Sequence, residues 1–282
     1  MIRFGPSGNS DSFYTMGNKT TLEAPKWLAA MGLNAYEYSF GRGINLAKDK
    51  AEMLGQALKT WEIAPSVHAP YYINLANPAR DKRESSLLYI LESAKRARWM
   101  GADRVVVHVG SSMKMERETA LKNCRDGLQA AQELLDENSL SDIHICPECM
   151  GKKGQIGNLE ETLSFCLTEE RFIPCLDFAH IHALGLGRLN ETADFEEVLD
   201  IAEGVLGRER MQRMHVHFST IEYTGAGEKR HRTFAEAEFG PRFHLLAPLL
   251  KERGYAPRII CECRGTQAED AAAMKKIWET ME

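Results

Sequence analysis

Most histidines of this chain, and several of its carboxylates, stand where a short apolar run stops. Val67-His68-Ala69-Pro70 ends one run and Val105-Val106-Val107-His108 another, while His215 follows Met214. Acids end three more: Ile145-Cys146-Pro147-Glu148, Pro174-Cys175-Leu176-Asp177 and Ile259-Ile260-Cys261-Glu262. A buried carboxylate needs a partner, and three of them facing one another stay ionised only with cations between them. His68, His108 and His215 add neutral nitrogen donors. A mixed imidazole and carboxylate set suits zinc, with manganese or iron as alternatives. One such residue alone reads as a hydrogen-bonded core side chain or a helix cap. Six at the ends of successive runs read as a ligand-collecting rim.

Other residues extend or border this group. Asp177 and His180, three apart, share a direction if the turn is helical, whereas His182 falls outside it. His217 alternates with His215 and can face the same lumen. His144 shares a face with Glu148 but lies deeper, in a structural role. Cys146-Pro147-Glu148-Cys149 is a lone CxxC with no second pair; alternation places Cys146 beneath the site, and Cys261 and Cys263 on the face opposite Glu262. Met150–Gly157 is glycine-rich but lacks the Gly-Lys-Ser/Thr ending of a phosphate loop, and is expected to be a flexible loop at the site.

The elements that must position these residues repeat along the chain. Strand-like runs lie near Ile2–Phe4, Ala35–Tyr38, Ser66–His68, Arg104–His108, His144–Glu148, Phe172–Asp177, Arg213–His217 and Arg258–Glu262. Helical periodicity separates them, near Thr21–Met31, Lys48–Thr60, Glu84–Met100, Glu116–Glu137, Leu159–Leu167, Asp194–Glu203, Phe243–Glu252 and Ala268–Met281. Asn158 with Glu160 and Glu161 marks a capped helix start. Strand–helix pairs in this order imply parallel strands with right-handed crossovers. At 282 residues the chain suits an α/β fold, a (β/α)8 barrel in a single domain over 1–282, whose ligands would gather at the C-terminal pole. Two long connections leave that pole, Ala69–Arg83 and Ser219–Arg242, and long aperiodic connections tend to be functional.

Composition narrows the partners. The net charge of −5 gives no support to bulk nucleic-acid binding through a basic domain, although bound cations can supply local positive charge. No apolar stretch is long enough to span a membrane. Seven cysteines without a framework pattern, and no export signal, are expected as reduced thiols in the cytoplasm. No assembly device is visible, and a monomer is the expectation.

These residues resemble the endonuclease IV family of apurinic/apyrimidinic endonucleases, across nearly the whole chain. The stretches that carry the resemblance are His68-Ala-Pro-Tyr71-Tyr-Ile-Asn-Leu75, Val107-His108-Val-Gly110, Glu148 with Gly151–Gly157, Cys175-Leu-Asp177-Phe-Ala-His180, His215-Val-His-Phe-Ser219, Arg230-His231 and Glu262. The resemblance implies a (β/α)8 barrel with two or three zinc ions that cleaves damaged double-stranded DNA on the 5′ side of abasic sites. It implies that His68, His108 and Glu148 hold one ion. Glu148 then bridges, as catalytic centre, to a second ion held with Asp177, His215 and Glu262, and His180 and His231 hold a third. Arg42 and Tyr71 match residues that the family inserts into DNA; Lys229 and Arg230, with Lys152, Lys153 and Arg232, are candidate phosphate contacts. The chain departs from the family at Lys229-Arg230-His231, where an aspartate ordinarily serves the third ion. An ammonium cannot ligate, so either Glu228, the first candidate, or His217 substitutes, or the third site is weak or empty.

Two rival readings share the barrel. Metal-dependent sugar isomerases and epimerases of the xylose-isomerase-like superfamily keep one ion on a Glu, Asp, His, Glu set, here Glu148, Asp177, His215 and Glu262; that leaves His68, His108, His180 and His231 without a shared purpose. The other rival is a metal-bound barrel that binds damaged DNA without catalysis, which Lys229 keeps open.

Overall fold

Alternation within short strands sets the frame. In the computed structural model, which describes residues 1–41 and 43–281, the barrel strands are β1 (Arg3–Pro6), β2 (Ala35–Ser39), β3 (Ala64–His68), β4 (Arg104–Val107), β5 (His144–Pro147), β6 (Cys175–Asp177), β7 (His215–His217) and β8 (Arg258–Cys261). They form two parallel four-stranded ladders, β2-β3-β4-β5 and β1-β8-β7-β6. The ladders close on each other at both seams. Asn34 N–H donates to Phe4 O (3.0 Å) and Gly8 N–H to Glu37 O (2.9 Å) at one; Ile173 and Cys149 N–H donate to Ile145 and Cys175 O at the other (3.1 and 3.0 Å). Gly5 is required at the first seam, because a Cβ there would meet Ala35 O at 1.9 Å.

Helices Ala24–Ala30, Lys48–Thr60, Arg80–Met100, Arg117–Glu137, Leu159–Cys166, Thr192–Leu206, Phe243–Glu252 and Gln267–Thr280 cover the outside, their apolar faces merging into one core. The expected cap at Asn158 is a reciprocal box: its Oδ1 accepts from Glu161 N–H (2.9 Å) while Glu161 Oε2 accepts from Asn158 N–H (3.0 Å). Among the described residues no helix is long and apolar enough to cross a membrane, and all seven cysteines are buried free thiols.

Three expectations about connections are corrected. The segment expected to run loose from Ala69 to Arg83 turns helical at Arg80, with Asn77 Oδ1 accepting from Ala79 N–H (3.0 Å) just before it. The segment Ser219–Arg242 is not aperiodic: Thr220–Thr224 and Gly227–Arg232 pair as an antiparallel hairpin. Glu222 faces Arg230 and Tyr223 faces Glu228, so Lys229 is the extra residue of a bulge. The glycine-rich segment is tied down. Gln155–Ile156 pairs with Gly110–Ser111, and Gly151 O accepts from Glu228 N–H (2.8 Å). Gly227 sits at φ +98°, where a Cβ would lie 2.1 Å from Gly151 O, so the hairpin docks here backbone to backbone.

Two buried side chains make the frame testable. Phe218, fully buried after β7, meets the rings of Phe243, Phe178 and Phe234 at centroid distances of 5.2, 6.3 and 6.3 Å. Phe218→Ala should cost about 3–5 kcal/mol, read as a lower urea midpoint with unchanged slope. His182, on the short helix Phe178–Leu184, accepts from Leu189 N–H at 3.1 Å through Nδ1. Burial pushes its imidazole down to about 4, below the ~6.5 of free histidine. Its contribution to stability is therefore complete above pH ~6.5 and is lost as pH falls through 4. His182→Asn, which keeps an acceptor, should flatten that part of the pH–stability curve; curves that stay parallel to pH 4 would contradict it.

Candidate metal centre

Inward positions follow from period-two alternation, and strand register decides their depth. Asp177 is the register partner of His217, and Cys175 of His215; Arg258 pairs with His215 and Ile260 with His217. The rim therefore holds His68, His108, Glu148, Asp177, His217 and Glu262, with His215 two residues lower. This corrects the place expected for His215. Its Nε2 lies 3.0 Å from Glu37 Oε2, and His217 stands where His215 was expected.

At the rim, Glu148 is the hub. Its Oε2 lies 3.0 Å from both His68 Nε2 and His108 Nε2, and its Oε1 3.3 Å from both His180 Nδ1 and His217 Nδ1. His217 Nδ1 is also 3.3 Å from Glu262 Oε2 and 3.9 Å from Asp177 Oδ2. Backbone carbonyls fix two rings: His68 Nδ1–H donates to Ala69 O (2.8 Å) and His180 Nδ1–H to Cys149 O (2.9 Å), which turns Nε2 toward Glu148 in the first and Glu228 in the second. Such outer partners are how proteins aim imidazole ligands.

A second group lies where the hairpin meets the barrel. Donor atoms of Asp177, His180 and His231 lie within 4.8 Å of one another, as do those of His68, His108 and Glu148. The bulge at Lys229 lets Glu228 and His231, three apart, both face His180; bulges re-aim side chains in this way. Glu228 Oε2 is 3.5 Å from His180 Nε2, and the His180 and His231 ring centroids are 5.1 Å apart. Lys229 turns the other way and pairs with Glu222, as do Arg230 (3.1 Å) and Arg232. The ammonium that stands where the family has an aspartate thus points away from the donors.

The electrostatics mark a pocket that calls for positive charge. Burial opposes ionisation of Glu148, yet the imidazoles of His108 and His217 hold it well below the usual carboxylate range. Burial opposes ionisation of Glu262 too, and His217 brings it to about 2. Asp177 is raised, by burial above all. The imidazoles answer in kind: against burial, Glu148 lifts His68 to about 9, and Asp177 with Glu148 lifts His180 to about 10. Asp177 Oδ2 is buried with no hydrogen-bond partner. Mixed nitrogen and oxygen donors, an orphaned carboxylate oxygen and convergent Nε2 atoms fit divalent metal ions.

Above the rim opens a cavity of about 570 Å³, bordered by Tyr71, Lys152, His231, Glu262 and Arg264. Tyr71 is half exposed and its hydroxyl lies 3.0 Å from Ser39 Oγ. Lys152 Nζ lies 3.7 Å from Glu228 Oε1, and Lys153 is exposed. Arg42 lies outside the described residues. His144 is low in the barrel, with Nδ1 2.7 Å from Arg171 O, and Cys146 packs with Val106, Ile173 and Cys175 beneath the site. The residue that sequence reasoning missed is Glu37. An acid between Tyr36 and Tyr38 reads as solvent-facing, although counting alternation from Ser39 places it inward.

Known proteins share this arrangement of chain. A sequence model of the xylose isomerase-like TIM barrel family matches residues 25–279. An uncharacterised protein of Methanocaldococcus jannaschii is 32% identical over 275 residues, 98% of this chain and 96% of its own. A probable endonuclease 4 of Oceanobacillus iheyensis is 31% identical over 236 residues, 79% of this chain and 76% of its own. Among solved structures, endonuclease IV from Thermus thermophilus superposes with a TM-score of 0.70 at 21% identity, covering 93% of this chain and 94% of that one. D-psicose 3-epimerase from Clostridium cellulolyticum does so at 0.66 and 12% identity, covering 93% of each; at such identities these two share the fold alone. Sequence, topology and rim together establish that the chain belongs to the xylose isomerase-like TIM barrel family, as a divergent member of its endonuclease IV group.

Proposed function

We propose that this protein is a metal-dependent phosphodiesterase that nicks double-stranded DNA on the 5′ side of abasic sites, in base-excision repair. The observation that carries this reading is the convergence of His68, His108, His180 and His231 on the same rim as Glu148, Asp177, His217 and Glu262. These are more donors than a single ion takes. His68, His108 and Glu148 would hold one ion, Glu148, Asp177, His217 and Glu262 a second, and Asp177, His180, His231 and Glu228 a third. Divalent ions there, zinc first by donor type, supply a water acidic enough to attack phosphorus and charge to offset the developing phosphoryl oxyanion.

The chain's own side chains divide the remaining work. Glu148, reaching four imidazoles from one carboxylate, keeps the donor groups in register. Tyr71, standing over His68 at a ring separation of 4.9 Å, offers an aromatic face to a nucleotide drawn out of the stack, a motion least costly where a base is already missing. Lys152 and Arg264 at the cavity border can meet backbone phosphates, while Lys229 and Arg230 must first leave Glu222. The reading places the protein with DNA in the cytoplasm, as a monomer.

A sugar isomerase or epimerase is the second reading, favoured by the Glu148, Asp177, His217, Glu262 subset and by a cavity in the size range of small-molecule sites. Metal-replete protein should nick a duplex with one abasic-site analogue and leave ketohexoses and aldoses unchanged. Carbonyl rearrangement without nicking would replace the nuclease reading with the epimerase one, and DNA affinity without either reaction with a binding role. Glu148→Gln should lower nicking by about 100-fold or more with the circular dichroism spectrum preserved; full activity in that variant would remove Glu148 from its role. Glu228→Gln should release one ion per chain by native mass spectrometry. An unchanged count would return the hairpin site to two histidines and Asp177.

A further inference from the structure

Beneath the rim lies a second group of donors that the nuclease reading leaves without a role. Glu37, Cys175, His215 and the inner nitrogen of His217 come from β2, β6 and β7, and all four residues are fully buried. The thiol sulfur of Cys175 and ring nitrogens of His215 and His217 lie within 4.8 Å of one another. Glu37 spans the two rings, its Oε2 3.0 Å from His215 Nε2 and its Oε1 3.1 Å from His217 Nε2.

Both imidazoles stand at ion-pair distance from Glu37, but the geometry there is not that of a hydrogen bond. Both ring nitrogens of His215, Nε2 of His217 and Oε1 of Glu37 have no hydrogen-bond partner. Ser66 Oγ–H donates to Glu37 Oε2 at 2.9 Å. Buried polar atoms are otherwise almost always hydrogen-bonded, and one cation placed between Glu37 and the Nε2 atoms of His215 and His217 would serve all three. Atoms that share a tetrahedral zinc ion sit roughly 3.3–3.8 Å apart, given its bond lengths to nitrogen, oxygen and sulfur. The Glu37 spacings of 3.0 and 3.1 Å fall just under that range, and the Cys175, His215 and His217 donors lie within 4.8 Å of one another.

We propose that Glu37, Cys175, His215 and His217 form a closed, structural zinc site one layer below the rim. The thiolate and carboxylate balance the dication, so binding forms a metal–sulfur bond and releases the Cys175 S–H proton to solvent. Four protein donors leave no open position for substrate, which marks a structural rather than a catalytic site. His217 faces Glu148 and Glu262 through Nδ1 and the lower site through Nε2. When both nitrogens ligate, the ring gives up its N–H proton as well and joins the two layers. The ion fastens β2 to β6 and β7 across the lumen.

The test uses the full chain and Co²⁺ alone, reading metal count and absorption. Wild type should show a sulfur-to-cobalt charge-transfer band in the near ultraviolet. Cys175→Ser should lose it together with one ion per chain, and Glu37→Gln should also lose one ion. Cys263→Ser should keep the band, which excludes the separate Cys261, Cys263, Asp270 group. No band in cobalt-loaded wild type, or a band that survives Cys175→Ser, overturns the proposal. Anomalous scattering at the zinc edge from wild-type crystals needs no variant to fold: a peak among the four residues supports the site, and its absence in zinc-loaded crystals overturns it. Neither readout depends on whether the protein nicks DNA.

Discussion

Three carboxylates on one level of a narrow barrel, Glu148, Asp177 and Glu262, repel one another wherever water is excluded. Everything around them answers that constraint. Imidazoles converge on their oxygens, backbone carbonyls hold the rings in the orientation that leaves Nε2 inward, and histidines are drawn toward the protonated state in the chain alone. Such a cluster suits dications, which would carry the charge in less space than several imidazolium rings.

The layer below shows how far this polarity extends. In many barrels of this architecture the lumen is filled with branched apolar side chains. Here Glu37, Ser66, His215 and His217 take part of that space, and Arg104 and Arg258 meet Asp103 at 3.0 Å each. Most apolar packing lies at the interface between strands and helices, where aromatic contacts such as Phe218 with Phe243 hold the wall. The lumen thus holds charged and polar side chains beside a small apolar cluster of Val106, Cys146, Ile173 and Cys175.

Much of this was legible in the chain, and the exceptions share one cause. Strand ends such as Val107-His108 and Ile145–Glu148 announce themselves because a polar residue terminates a buried run, and the helices between them carry plain periodicity. Which member of His215-Val216-His217 reaches the rim depends on the register of β7 against β6, a two-residue matter that no single strand records. Glu37 was hidden by its flanking tyrosines, which are themselves buried or half-buried against helices. The hairpin at Thr220–Arg232 escaped because its bulge breaks the alternation that would have revealed it. That same bulge turns Glu228, rather than Lys229, toward His180. Local pattern carries the elements; pairing between distant elements carries the depth and aim of each side chain.

The hairpin has an evolutionary corollary. Rim donors on barrel strands are inseparable from the fold, whereas Glu228 and His231 ride on an appendage that docks backbone to backbone at Gly151. Sequence change in that appendage can alter the donors it presents without touching the architecture underneath. A superfamily built this way can retire or reinvent a cofactor position by editing an ornament while its foundations stay put.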